Sequence, residues 1–374
     1  MDLRFSDAEL SFRDEARAWL SANVPHDLPS GDTREGFALH LDWERNLFDN
    51  RWAVVSWPTE FGGRQASLIE WLIFEEEYYR AGGPQRVTQN GIFLLAPTVF
   101  EFGTPEQQAL ILPRMAAAED LWCQGWSEPN AGSDLAGIKS TAARDDVAGG
   151  WRLTGQKTWT TRGAFCTHLF GLFRTDPEAE RHRGMSYFLV PLDADGVTVR
   201  GFGRLDGDEG FAEVFFEDVF VPDADVLGDV NKGWNVAMAT TGSERGLTLR
   251  SPGRFMATAT RLVELWKEHP NPSVDGDVVA CWMDAQAYRW QTYATVARLM
   301  DGAKPGAEAS LTKLFWSELD VRLHETALRL LGPDAELEGP WNKGFQFALA
   351  GPIYAGTNEI QRNVVAERVL GLPR

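Results

Sequence analysis

Cysteine is scarce in this chain. There are three in 374 residues, Cys123, Cys166 and Cys281, widely separated and with no C-x-x-C pair. That excludes a disulfide framework and a thiolate zinc site, and it fits a reducing cytoplasm. The six histidines show no H-E-x-x-H or comparable ligand spacing, so no metal is expected. Basic residues are outnumbered, 36 against 54 acidic, for a formal net charge of −18. Nucleic acid and anionic membrane both require a basic face, and neither is expected as a partner. A phosphate-bearing ligand would have to find local positive charge or helix N-termini. No apolar run is long enough to span a bilayer, and Met1-Asp2-Leu3-Arg4-Phe5 lacks the regions of a signal peptide. No G-x-G-x-x-G follows a strand, which argues against a Rossmann domain. Repeats, charge blocks and low-complexity tracts are missing too.

What is present reads as an ordinary globular chain, 44% hydrophobic and 24% charged, long enough for two or three domains with proper cores. Ser6-Asp7-Ala8-Glu9 is a capping box, and Leu10, Phe12, Ala16 and Leu20 give the apolar stripe of a first helix. Pro25 to Glu35 and Trp52 to Arg64 read as loops by their Pro and Gly content. Ser67 to Arg80 is amphipathic. Thr104-Pro105-Glu106-Gln107 caps another helix that runs to about Ala118. After Leu121 the texture becomes strand-like. Trp151–Thr154, His168–Phe173, Met185–Val190, Gly196–Val199 and Val214–Val221 are short, β-branched or aromatic, and separated by turn residues. Helical periodicity returns over Gly233–Thr241, Pro252–Lys267, Val278–Asp301, Pro305–Leu331 and Asn358–Val369. The expected fold class is α+β multidomain: an N-terminal helical domain (1–119), a small β-barrel-like middle domain (120–228) and a C-terminal helical bundle (229–374).

Two polar-glycine segments stand inside the middle region. The first is Trp126-Ser127-Glu128-Pro129-Asn130-Ala131-Gly132-Ser133-Asp134-Leu135-Ala136-Gly137, and the second is Gly155-Gln156-Lys157-Thr158-Trp159-Thr160-Thr161-Arg162-Gly163-Ala164. Small residues let a ligand approach the backbone, Ser127, Ser133 and Thr161 offer hydroxyls, and Trp159 offers an aromatic face to a flat ring. Each segment alone also fits a decorated hairpin with a buried Trp. Together, in this order, they resemble the acyl-CoA dehydrogenase family, with its S/T-E-P-x-A-G-S-D and G-x-K-x-W-x-T segments. Trp57-Pro58-Thr59-Glu60-Phe61-Gly62-Gly63 resembles the family's W-P-x-E-x-G-G segment. Tyr354-Ala355-Gly356-Thr357-Asn358-Glu359-Ile360-Gln361 resembles its Y-x-G-T-x-x-I-Q segment.

The resemblance implies FAD between the middle domain and the C-terminal helices, with an acyl-CoA thioester against the flavin. A carboxylate removes the α-proton while the β-hydrogen leaves as hydride to flavin N5. It places Ser127 on the flavin's pyrimidine edge, Trp159 beside the isoalloxazine, Thr161 near N5, and Ser133 near the thioester and pantetheine. Gly356 permits a tight turn whose following helix N-terminus faces phosphate or adenosine. Thr357 and Glu359 match positions on the adenylate half. These last residues also fit a plain capped helix. Arg245 and Tyr354 fall on the substrate side.

Many family members carry the base where this chain has Ala355. A minority carries it in an E-R pair on an earlier helix, and Gly242-Ser243-Glu244-Arg245 stands at the matching distance. Glu244 is therefore the expected base, although most E-R dipeptides are exposed ion pairs. Ala355 keeps its backbone N–H for the thioester oxygen. Trp126 reads as core. The family's homo-oligomers grip the FAD diphosphate with a neighbour's Arg, Gln and Gly pair. Here those regions read His269-Pro270-Asn271-Pro272-Ser273-Val274-Asp275-Gly276-Asp277 and Arg329-Leu330-Leu331-Gly332-Pro333-Asp334. The expectation is an α2β2 complex with a homologous subunit and one FAD per heterodimer. The alternative is a homo-oligomer in which Arg329 substitutes. The resemblance further implies an electron-transfer flavoprotein as acceptor and a bulky, branched or steroid-derived acyl group, as in actinobacterial-type members. A flavin-dependent monooxygenase or oxidase, and a silent subunit, stay open as alternatives.

Overall fold

The structure is a computed structural model that describes residues 4–245, 251–303 and 306–373. Helices α1 (Asp7–Asn23), α2 (Arg34–Asp49), α3 (Leu68–Arg80), α4 (Ala96–Phe102) and α5 (Pro105–Ala116) precede the strands. The strands are β1 (Trp122–Gly125), β2 (Thr141–Asp145), β3 (Gly150–Thr161), β4 (His168–Arg174), β5 (Met185–Pro191), β6 (Val197–Phe202), β7 (Phe211–Pro222) and β8 (Val226–Leu227). Then come α6 (Gly233–Arg245), α7 (Pro252–Glu268), α8 (Asp275–Met300), α9 (Ala309–Leu331), α10 (Pro340–Ala348) and α11 (Asn358–Val364). The chain forms two compact units. One comprises Met1–His26, Gln65–Pro84 and Glu244–Arg374, the other Asp27–Arg64 and Gln85–Ser243.

The first unit is helical. Ser6 and Glu9 form the expected capping box at α1, and Ser67 and Glu70 form another at α3. Phe255, Ala259 and Leu262 recur on one face of α7 and pack with Tyr288 of α8 and with Trp316 and Leu323 of α9. The backbones of α7 and α3 come close at Gly253: a Cβ there would lie 2.6 Å from the Glu75 carbonyl oxygen, so only glycine fits. Arg289 of α8 forks onto Glu76 of α3 at 2.5 and 2.9 Å.

The second unit is built on one eight-stranded sheet with strand order β6-β7-β3-β2-β4-β5-β8, and β1 pairs in parallel with β4. Alternate residues of the central strands fill its core, among them Leu153, Phe173, Phe188, Val214 and Phe216. Thr104 caps α5 with Gln107 as expected, and the same Gln107 amide donates to the carbonyls of Ala224 and Val226 at 2.8 and 2.9 Å. One side chain thus both starts a helix and ties it to the end of the sheet.

Several elements differ from the sequence expectation. Helix α2 begins inside the stretch read as loop. Thr33 caps it by accepting from Gly36 N at 3.1 Å, and Phe37, His40, Trp43, Glu44 and Leu47 form its buried stripe. Strand β3 extends into the second polar-glycine segment as far as Thr161 instead of ending at Thr154, and β1, β2 and α10 were not anticipated. The last helix gives way to a wider π turn at Val365–Val369. Among the described residues no helix is long and apolar enough to cross a membrane.

Candidate active site

The two polar-glycine segments are locked together by a buried ion pair, Glu128 with Lys157. Strand alternation turns Lys157 into the sheet interior, where it is fully buried. Its ammonium donates to Glu128 Oε1 and to the Leu172 carbonyl, both at 2.8 Å. Glu128 also accepts the backbone N–H of Lys139 at 2.6 Å and of Ser140 at 2.9 Å. Beside the pair, Thr158 N donates to the Ser127 carbonyl at 2.9 Å. Glu128 and Ala131 exchange backbone hydrogen bonds of 2.9 and 3.0 Å around the Pro129-Asn130 turn. The loop carrying Ser127 is therefore stitched onto the strand carrying Trp159. Burial pushes the Lys157 ammonium down to about 8, and the charge of Glu128 opposes it without cancelling it. Burial would raise the Glu128 carboxyl, but Lys157 and the hydrogen bonds outweigh it and hold the group below its ordinary value. Both partners are thus charged at neutral pH.

The β3–β7 register shifts between Lys157 and Thr160, and Trp159 sits in that bulge with φ +58°. A left-handed non-glycine residue costs on the order of 1–3 kcal/mol and concentrates at functional sites. The bulge re-aims the side chain. Trp159 is 61% exposed, meeting Phe202 and Phe211 edge-on at 5.3 and 5.6 Å between ring centroids. Thr161 ends the strand, half-buried, and Ser133 lies on the exposed loop after Gly132. Among the described residues the hydroxyls of Ser127, Ser133 and Thr161 have no hydrogen-bond partner. Trp126, by contrast, is buried edge-on against Phe170 and Tyr187 and belongs to the core.

The C-terminal segment lies in the helical unit. Tyr354 stacks on Trp316 at 5.9 Å. Ala355 and Gly356 are both left-handed, φ +55° and +77°. Buried Gln361 reaches back and donates to their carbonyls at 2.9 and 3.3 Å. From the other side, Lys313 Nζ and Ser317 Oγ donate to Asn358 Oδ1 at 2.7 and 3.1 Å, and Asn358 N donates to the Pro352 carbonyl at 2.8 Å. The turn is held by side chains on both flanks. The Ala355 N–H has no hydrogen-bond partner among the described residues. Thr357 accepts from Ile360 N at 3.3 Å as the cap of α11, and Glu359 is exposed beside it.

Glu244 and Arg245 fall in the last turn of α6, but their side chains, and residues 246–250, lie outside the described residues. The region expected to serve a neighbour is internally paired. Arg329 meets Asp277 at 2.5 Å, and Asp275 accepts from the Trp266 indole at 2.7 Å. Asp277, Arg322, Thr326 and Arg329 line a groove of about 190 Å³ between α8 and α9. Pro333 sits in the short 3₁₀ turn after α9.

Glu128 and Lys157 are the residues that motif reading overlooked, although both stand inside the quoted segments. A largely exposed indole and, in the same sheet unit, hydroxyls with no partner among the described residues are a donor set suited to a flat, polar-edged heteroaromatic ring, so the residues of the sheet unit fit a flavin.

Comparison with known proteins agrees along the whole length. The family models for the acyl-CoA dehydrogenase N-terminal, middle and C-terminal domains match residues 6–119, 123–219 and 231–370. The chain is 39% identical to acyl-CoA dehydrogenase IpdE1 of Mycolicibacterium smegmatis, with 97% of each chain covered. It therefore belongs to the acyl-CoA dehydrogenase family, and it is an FAD-using oxidoreductase. Among solved structures, the Tcur3481-Tcur3483 steroid ACAD matches with a TM-score of 0.88 at 26% identity over 100% of both chains. The ChsE4-ChsE5 complex from Mycobacterium tuberculosis matches with 0.85 at 27%, again over 100% of both.

Proposed function

We propose that this chain uses Glu244 to remove the α-proton of a bulky, steroid-derived acyl-CoA, as one half of a heteromeric dehydrogenase. The observation that carries this reading is Ala355, whose methyl group stands on a left-handed turn with its N–H unpaired among the described residues. A methyl group cannot accept a proton, so the base must come from another element. Glu244, at the end of α6, is the carboxylate at the matching family position. A carboxylate in a dry pocket gains proton affinity by desolvation. The free Ala355 N–H suits the thioester oxygen and strengthens its bond as enolate charge develops. Bound FAD supplies the acceptor for the β-hydrogen, which leaves as hydride. Ser127, Trp159 and Thr161 hold and orient the ring, and Gly356, Thr357 and Glu359 take the adenylate side. Ser133, Arg245 and Tyr354 line the substrate.

With a methyl group at 355 in place of a carboxylate, space opens near the α-carbon, which suits ring-bearing acyl groups. The relatives named steroid ACAD and IpdE1 support the same choice. The Arg329–Asp277 pair and Pro333 support a heteromer. They leave this chain a poor grip for a symmetric partner's diphosphate, and the similar structures are described as two-component assemblies. The expected assembly is α2β2 with one FAD per heterodimer, reoxidised by an electron-transfer flavoprotein.

Two measurements test this. Acyl-CoA esters of increasing bulk are titrated anaerobically and flavin bleaching is followed. Preferential bleaching by ring-bearing esters supports the substrate class, and bleaching only by short straight chains contradicts it. FAD per polypeptide is then measured on the chain expressed alone. Flavin-poor material rescued by a homologous subunit supports the heteromer, whereas a homo-oligomer with one tightly held FAD per chain refutes it.

A further inference from the structure

Behind the Trp159–Thr161 wall lies a chain of buried charges that the dehydrogenation chemistry does not call on. Arg162 directly follows Thr161 and is itself left-handed, φ +56°. Two strained non-glycine residues, Trp159 and Arg162, therefore bracket Thr160 and Thr161. Thr160 points into the interior, fully buried with no partner for its hydroxyl among the described residues, and Thr161 is left half-buried at the end of β3.

The strain at Arg162 is held by ions. Arg162 Nε donates to Asp32 Oδ1 at 2.6 Å, and its NH1 donates to the Arg86 carbonyl at 3.3 Å. Its backbone N–H donates to the Gly210 carbonyl at 3.0 Å, beyond the end of the β3–β7 ladder. The second oxygen of Asp32 accepts from Arg204, which in turn forks onto Asp206 at 3.2 and 2.8 Å. On the far side, Arg86 is fixed by Glu44 at 2.6 Å and by the Ala53 carbonyl at 3.0 Å. Asp32, Arg86 and Arg162 are each no more than 5% exposed. Three separate stretches of chain converge here: the loop before α2, the segment after α3 and the hairpin between β6 and β7.

Removing charges from water costs several kcal/mol per ion, roughly what their mutual attraction returns, and buried ion pairs are often replaceable by apolar side chains without loss. Such a chain is therefore a weak explanation of stability. Its location is informative instead. Among the described residues Asp32 bridges Arg162 and Arg204, so it fixes the guanidinium of the residue that follows the flavin-facing strand.

We propose that Asp32 is a positioning residue for the flavin: through Arg162 it sets the left-handed end of β3 and so fixes how Trp159 and Thr161 meet the ring. This rests on the reading that Trp159 and Thr161 face FAD. Asp32 touches neither cofactor nor substrate in this role.

The test uses the flavoprotein as isolated, with its partner subunit where one co-purifies. Asp32→Asn keeps the shape and removes the charge. Three readouts are compared with wild type: the visible flavin spectrum, the flavin midpoint potential by dithionite titration against a reference dye, and the FAD release rate. Trp159→Ala is measured in parallel. The proposal expects Asp32→Asn to shift the flavin bands and potential and to speed FAD release about tenfold, as a small misplacement of a positioning group does. A variant with a lower Tm but wild-type flavin spectrum, potential and release overturns it, because a purely structural role predicts just that. If Trp159→Ala moves the spectrum and Asp32→Asn does not, the positioning role fails while the flavin wall stands. If neither moves it, the flavin-wall reading fails and takes the proposal with it. Should Asp32→Asn not accumulate as folded protein, Asp32→Glu decides. It keeps the charge on a longer stem that pushes Arg162 away, and an unchanged flavin spectrum there overturns the proposal equally.

Discussion

Replacing Lys157 with Met should unstitch the two motif segments, and the structure gives the scale. Lys157 is fully buried and makes two 2.8 Å bonds, one to Glu128 and one to the Leu172 carbonyl. Methionine fills similar volume and carries no charge. Glu128 would keep its two backbone donors, Lys139 and Ser140, and lose its only ion-pair partner among the described residues. Stranding one half of a buried pair costs about 3–5 kcal/mol. Burial already holds the Lys157 ammonium down to about 8, a penalty that methionine is spared, so the loss should fall at the lower end of this range, about 3 kcal/mol. Glu128→Gln strands the cation instead and should lose a similar amount. The double variant Lys157→Met/Glu128→Gln leaves no charge unpaired, so its loss should be smaller than the sum of the singles by at least ~2 kcal/mol. Urea unfolding followed by tryptophan fluorescence reads all four corners of the cycle. Coupling below about 0.5 kcal/mol, the range of independent sites, would refute the claim that this pair stitches the segments together.

Trp159→Ala should weaken FAD retention and alter the flavin absorbance, because it removes an exposed indole face from the wall; an unchanged spectrum and affinity would assign Trp159 to surface packing alone. Acid should unfold the sheet unit steeply. The carboxyls of Asp32 and Glu128 are held below their ordinary values of 3.8 and 4.5, so their stabilisation is present above those values and lost as pH falls through the lower folded ones. Glu128→Gln should flatten the stability-versus-pH curve below about pH 4.5, and an unchanged slope would contradict this. Adding Ala355→Glu to Glu244→Gln should restore dehydrogenation of short straight-chain esters and not of bulky ones; no recovery with any ester would show that the turn at 355 cannot present a base.

Local signals were readable from the sequence. The capping boxes at Ser6/Glu9 and Thr104/Gln107 form as spaced, because a cap depends on residues within one turn. The strand cores were likewise legible from β-branched and aromatic runs. Helix α2 carried the same kind of signal, Thr33 followed by a buried stripe, but the Gly and Pro content ahead of it masked the start. The left-handed φ angles at Trp159, Arg162 and Ala355 left no trace in residue type, since Trp, Arg and Ala do not favour that region. Tertiary contacts impose them: a register shift against β7, an ion chain through Asp32, and the Gln361 amide. For the same reason Glu128 and Lys157 were visible as letters in two motifs and invisible as a pair. Nothing in either segment says that a strand will turn the lysine inward and a turn will bring the glutamate over it.

The most direct test of the central claim is anaerobic mixing of flavin-loaded Glu244→Gln with the acyl-CoA that best bleaches wild type. The amide has the shape of the carboxylate and cannot take the α-proton. The account predicts wild-type FAD content and retained acyl-CoA binding, with flavin reduction slowed by a factor of ~10³ or more, in line with loss of a general base. Reduction within a few-fold of the wild-type rate would contradict it and send the search for the base to another carboxylate.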